Sequence, residues 1–364
     1  MSGKVPYGRI PDIYSPENTQ TGGEVSLYRL TGAGGVDVEI MDYGATIRSI
    51  NVPERNGIDK IDVAMGFENF EDQLKSAGWN CGIVGRVANR IDNGEIFIKG
   101  KRYLIDLPKL DDREAPFILH SGAENYAKKL FHGRLFSDAE GEKAEFYHRD
   151  VSGIGFPGIV DVWVTYVLTP ENELQIRYRC LPSEDTVLNI TSHCYFNLAG
   201  HGSGAIYSHV MKLGADYFLP AKLDCLPTGE ILSVTGTAFD FREPKTFGEG
   251  MNSDDPQIAL LGGYDHNFCL AGGGYRECGW VYEESTGIKM TVSTDLPGIQ
   301  LYTSCSEVHT EGVKNGKTYD RYGAFCLETQ FYPNATAHSH FPQPVFPANR
   351  VFESRTAYQF SIES

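Results

Sequence analysis

The 364 residues carry 32 basic and 48 acidic side chains, a net charge of −16, and a chain this acidic repels phosphate backbones, which argues against nucleic acid as a partner. Hydrophobic residues at 41%, aromatics at 12% and 40 glycines describe a substantial core with many turns, the composition of an all-β protein. No apolar run approaches membrane-spanning length.

Residues 1–22 are polar, rich in Pro, Gly and Ser, and predict an extended N-terminal arm that resembles no secretory signal. Short β-like runs then recur to the end: 35–40, 46–52, 94–99, 160–168, 174–180, 289–293 and 299–303. Turn signals separate them, among them Asn93-Gly94, Pro170-Glu171-Asn172 and Asn315-Gly316. Helical periodicity is confined to a short helix over 68–77 and one turn over 256–261. Even strand spacing without a linker predicts one domain over 23–364, a large β-sandwich or barrel.

Asn189 to Leu198 is the most informative run. Taken as a strand, its odd positions Asn189, Thr191, His193, Tyr195 and Asn197 can all hydrogen-bond, and its even positions are mostly apolar. One face then packs on a core and the other presents donors and acceptors around a histidine. A polyhydroxylated ligand needs such a row, although a strand with one solvated face gives the same alternation.

Other apolar strands carry isolated polar groups. Glu328 shares a face with Cys326 and Gln330, among Phe325, Leu327 and Phe331. Desolvation there makes a carboxylate a better base near neutral pH; an ion-paired strand carboxylate is the alternative. Asp265 stands at a strand entry, where Asp commonly caps amides. Gln300 and Tyr302 share a face. Arg86 and Arg90 lie in a Gly-bounded apolar segment, each either a hydroxyl clamp or a structural ion pair. His120 ends an apolar run, where a histidine is commonly structural. His338-Ser339-His340 has no further His or Cys close in sequence, which argues against a metal site. Ala271-Gly272-Gly273-Gly274 lacks the helix and Lys of a phosphate loop. The eight cysteines form no Cys-x-x-Cys pair and scatter through apolar segments, which fits buried free thiols and the cytoplasm.

Taken in order, these pieces resemble the aldose 1-epimerase (galactose mutarotase) family. The carriers are Asn89-Arg90-Ile91, His120-Ser121-Gly122, Gly155-Phe156-Pro157-Gly158, the 189–198 run, Gly263-Tyr264-Asp265-His266, Pro297-Gly298-Ile299-Gln300 and Leu327-Glu328-Thr329-Gln330. Ser121 departs from the family's His-Gly-Gly, and Tyr302-Thr303-Ser304-Cys305 from its Tyr-Thr-Gly-Asn. The resemblance implies a large twisted antiparallel β-sandwich, the galactose mutarotase-like supersandwich. It implies that the anomers of free aldohexoses, galactose and glucose, interconvert by ring opening and reclosure without cofactor or metal.

By resemblance Glu328 is the base and His193 the acid, each stabilising the other's required charge state, and Asn89, Arg90, His120, Asp265 and Gln300 hold the sugar hydroxyls. The expected partner is a monosaccharide, neither nucleic acid nor a membrane, and the expected assembly a monomer or weak homodimer. The competing readings are a hexose-6-phosphate 1-epimerase, a glycosidase or lyase using Asp265 and Glu328, and a non-catalytic sugar-binding module.

Overall fold

In Val160–Leu168 the side chains of Val160, Val162, Val164 and Tyr166 are buried, while Asp161, Trp163 and Thr165 are half-buried. This is the period-two pattern of a strand with one face on a core. The same alternation recurs in Ile288–Thr294, and strands of this kind assemble by backbone pairing into sheets. The computed structural model describes residues 2–11, 23–55, 57–75, 80–110, 113–151, 153–306 and 308–363.

Nine antiparallel strands form one sheet, in the spatial order His132–Asp138, Gly141–Asp150, Val160–Leu168, Glu173–Pro182, Phe352–Ile362, Ile288–Thr294, Arg276–Tyr282, Val210–Leu213 and Lys245–Thr246. A five-stranded antiparallel sheet runs in sequence order from Gly3–Arg9 to Lys60–Asp62. Its first strand pairs Gly3–Arg9 of the N-terminal stretch with Glu24–Thr31; residues 12–22 of the predicted arm lie outside the described residues. A second five-stranded sheet has the order Leu232–Ser233, Ala215–Phe218, Asp265–Leu270, Gly298–Tyr302 and Cys326–Gln330. One core cluster joins Val38 and Ile47 from the first of these sheets, Phe146, Val164 and Met290 from the large sheet, and Phe268, Ile299 and Leu327 from the third. The chain is a large antiparallel β-sandwich.

The seven predicted strands appear as Asp37–Met41, Thr46–Pro53, Glu95–Ile98, Val160–Leu168, Glu173–Pro182, Ile288–Thr294 and Gly298–Tyr302. The two predicted helices appear as Phe70–Lys75 and Pro256–Leu261. A further helix, Phe247–Met251, is started by a capping box in which Thr246 and Glu249 satisfy each other's backbone amides. No helix among the described residues is long and apolar enough to cross a membrane.

The 189–198 run corrects the sequence reading. Only Thr191–Ser192 is regular strand, paired with Ile83–Val84. The rest changes partner every residue or two. Asn189 bridges Val87, the Tyr195 carbonyl accepts from the Met65 amide, and Phe196 bridges both Ala64 and Phe325. The segment stitches the layers together, and a chain that switches partners so often cannot keep one flat ladder.

Arg86 is the structural member of the arginine pair. It is fully buried, and its Nε donates to Asp150 at 2.8 Å. Its other nitrogens donate to the carbonyls of Pro157 and Gly158 at 2.8 and 3.1 Å. Tyr126 donates to the same Asp150 oxygen at 2.7 Å. Removing one partner of a buried pair leaves the other charge uncompensated, at about 3–5 kcal/mol. Arg86→Met is therefore expected to lose about that much stability in denaturant titrations, and a loss under about 1 kcal/mol would contradict the assignment.

Candidate active site

The third sheet places the site. Cross-strand register sets Gln300 opposite both Asn267 and Glu328, and Tyr302 opposite Asp265 and Cys326. Directly opposed residues share a face, so one face of three neighbouring strands is a polar field while Phe268, Ile299 and Leu327 on the other face enter the core. A cavity of about 290 Å³ opens over the field. Asn89, Arg90, His120, His193, Asp265 and Glu328 all line it. Six of the seven residues singled out from the sequence thus come together from five segments of chain.

At its floor His193 Nε2 lies 3.6 Å from Glu328 Oε1, with the two side chains 6% and 3% exposed. Glu328 Oε2 is buried with no hydrogen-bond partner among the described residues. Burial, reinforced by the Asp265 carboxylate and opposed by Arg90, holds the Glu328 carboxyl well above the usual carboxylate range. Of these influences desolvation is the largest. His193 is oriented from two sides. Its ring stacks on Tyr195 with centroids 4.9 Å apart, and its Nδ1 lies 3.5 Å from the Cys326 sulfur.

His120 meets His193 edge to face, with centroids 5.2 Å apart. Its Nδ1 accepts the Asn89 amide at 3.1 Å, so the proton of the neutral ring sits on Nε2. Burial, with His193 and Arg90 nearby, holds His120 well below the usual imidazole range and so neutral. One nitrogen each of His120 and His193 and a Glu328 oxygen lie within 4.8 Å of one another, close enough to invite a metal. The hydrogen-bond polarity opposes it. A metal-binding imidazole donates its outer N–H to an acceptor, whereas the outer nitrogen of His120 is occupied by a donor. His120 is built to donate from Nε2.

Arg90 and Asp265 form a second unit. Arg90 Nη1 lies 3.7 Å from Asp265 Oδ2, and the Arg90 guanidinium lies over the Phe117 ring at 5.4 Å. Gln300 Nε2 donates to Asp265 Oδ1 at 2.6 Å. Gln300 itself stands behind Asp265 and not in the cavity wall. The expectation gave it a sugar hydroxyl; here its Nε2 orients the carboxylate, and its Oε1 is buried without a hydrogen-bond partner among the described residues.

Tyr195 and Tyr302 also line the cavity, and Leu223 and Leu260 form an exposed apolar rim with Cys225 and Cys305. Tyr302 was legible from its shared face with Gln300; the rim residues lie in loops and a helix end that no strand pattern reaches. All eight cysteines are free thiols, six of them buried. His338 and His340 lie outside the cavity, and His340 Nε2 is 2.8 Å from the Gly229 carbonyl.

The aldose 1-epimerase family model matches residues 26–359. Galactose mutarotase of Bos taurus is 38% identical over 89% of this chain and 91% of its own length. Aldose 1-epimerase of Escherichia coli is 29% identical over 96% and 99%. The crystal structure of a galactose 1-epimerase from Lactobacillus acidophilus NCFM superposes with a TM-score of 0.83 at 25% identity, over 100% of this chain and 99% of that one. A fold match of this extent, a family model covering almost the whole chain and curated relatives of matching length agree: the chain belongs to the aldose 1-epimerase family.

Proposed function

We propose that this protein interconverts the α and β anomers of free aldohexoses, galactose and glucose among them, by ring opening and reclosure. The observation that carries the mechanism is the buried pairing of His193 Nε2 with Glu328 Oε1 at 3.6 Å. Opening a pyranose needs one proton removed from the C1 hydroxyl and one delivered to the ring oxygen. Glu328 takes the first and protonated His193 supplies the second. The C1–O5 bond breaks, the open aldehyde rotates about C1–C2, and the reverse transfers close the ring on its other face. Two proton transfers balance the reaction, and each positioned group contributes about 10²–10⁴-fold.

Arg90 and the Nε2–H of His120 donate to the remaining hydroxyls, and the Asp265 carboxylate accepts from them. Both Asp265 oxygens are engaged, by Gln300 and by Arg90, which favours a binding role over that of a glycosidase acid. Arg90 is the one Arg or Lys among the described cavity residues, and it faces Asp265. A 6-phosphate would call for more cations, so the site suits an unphosphorylated sugar. The free thiols support a reducing compartment such as the cytoplasm.

Polarimetry of freshly dissolved α-D-galactose and α-D-glucose tests this reading. The protein is expected to speed the approach to equilibrium rotation, and to do so equally in excess chelator. No acceleration over buffer defeats the proposal; activity lost to chelator and regained with a divalent ion defeats its metal-free chemistry.

A further inference from the structure

The two cavity segments that carry Asn89, Arg90 and His120 pair as antiparallel strands over Arg90–Asp92 and Phe117–Leu119, and past the end of that ladder one hydroxyl ties them together at Val87. Ser121 is buried at 1% exposure with φ +61°. Its Oγ accepts from the Val87 amide at 2.9 Å and donates to the Val87 carbonyl at 3.2 Å. Val87 stands in a single parallel bridge with Asn189, in which the bonds are made by its neighbours: Asn189 donates to the Arg86 carbonyl and accepts from the Ala88 amide. The two polar groups of Val87 therefore point away from that strand. No other hydrogen bond to either is present among the described residues. Ser121 replaces a missing strand with a side chain that is donor and acceptor at once.

The consequence reaches the sugar site within two residues. Beyond Val87 the same two segments meet again where Asn89 N donates to His120 Nδ1 and His120 N donates to Asn89 O, at 3.1 and 2.9 Å. Asn89 and His120 both hold positive φ, at 62° and 51°, a conformation that persists only where the surroundings over-determine it. The Asn89 amide also fixes which nitrogen of His120 carries the proton. We propose that Ser121 is a positioning residue for substrate binding: its hydroxyl clips the His120 turn to Val87 and so aligns Asn89, Arg90 and His120 against the sugar hydroxyls. The acid–base pair is carried on other segments, at His193 and Glu328, and reaches the clip through the ring contact of His120 with His193, so the clip acts chiefly on binding. This assignment rests on the anomer-exchange reading above.

Ser121→Ala and Ser121→Gly test it together. Both lack the hydroxyl, while only Gly relieves the left-handed backbone. If the hydroxyl is what matters, both variants raise KM about tenfold, the scale of one buried hydrogen-bonded group left unpaired. Their kcat stays within about threefold of wild type, and the shape of the pH–rate profile is unchanged. A merely structural serine gives the opposite split: less active protein, lower apparent kcat and an unchanged KM. That split, a wild-type KM in both variants, a normal KM in the Gly variant alone, or failure of both to fold overturns the inference. An inactive wild type defeats the anomer-exchange reading instead, so the two failures are separable.

Discussion

Glu328→Gln is expected to abolish all but a trace of anomer exchange and, above acidic pH, to make the protein more stable. The substitution keeps the side-chain shape but cannot take a proton from the C1 hydroxyl. Loss of one positioned general base costs about 10²–10⁴-fold, or roughly 3–5 kcal/mol in barrier. The stability sign follows from burial. The folded-state carboxyl is held well above its ordinary range, whereas in the unfolded chain it titrates near pH ~4.3. Below that pH both states are protonated and the group is neutral to stability. As pH rises the unfolded chain releases its proton while the fold retains it, so stability falls until the folded group also ionises. A glutamine in its place has no such proton to lose. The variant's Tm should match wild type at about pH 4 and exceed it by a few degrees at about pH 8, at roughly 2–4 °C per kcal/mol. Polarimetry and paired thermal melts check both halves. Near-normal activity removes Glu328 from the mechanism; a lower Tm at the higher pH refutes the burial account.

The sequence placed Glu328 among apolar neighbours and left a desolvated base and an ion-paired carboxylate both open. Alternation in 325–331 was enough to put Glu328 opposite Leu327 and Thr329, because those two enter the core. The pattern does not say what else reaches the polar face. Gln300 illustrates the gap: its strand and its face were legible, but not that its Nε2 donates to Asp265, a residue 35 positions away. Likewise Asn189 and Asn197, the ends of the polar row, turn out to be structural. Asn189 exchanges two hydrogen bonds with the Phe331 backbone, and Asn197 donates to the carbonyls of Gly204 and Gly323. Only His193 and Tyr195 of the five odd positions line the cavity.

Local rules also missed what depends on backbone hand. Positive φ at Asn89, His120 and Ser121 is announced by nothing in a period-two pattern, although Asn and His are enriched in that region. The helix Phe247–Met251 was within reach, since Thr246-x-x-Glu249 is a capping box in the sequence itself. Its five residues are too few to show helical periodicity.

His193→Asn is expected to cost a comparable 10²–10⁴-fold, and its pH dependence separates an acid–base partner from a binding residue. The proposed mechanism needs an ionised Glu328 and a protonated His193, which is the pair carrying one proton in total. At low pH the pair holds two protons and the base is blocked; at high pH it holds none and the acid is spent. The kcat/KM profile is therefore a bell whichever residue ionises first, and its limits belong to the coupled pair. Desolvation of Glu328 moves the acidic limb above the ordinary carboxylate range. An asparagine in place of His193 can hydrogen-bond to a sugar but cannot cycle a proton, so the basic limb should vanish from the residual activity while the acidic limb remains. Glu328→Gln should show the reverse. Combining both substitutions should slow the reaction by far less than the product of the two single losses, because the proton transfers serve one ring opening and removing either leaves the other little to assist. Full multiplicativity in the double variant, or a bell surviving intact in His193→Asn, would assign the acid to a different group lining the same cavity.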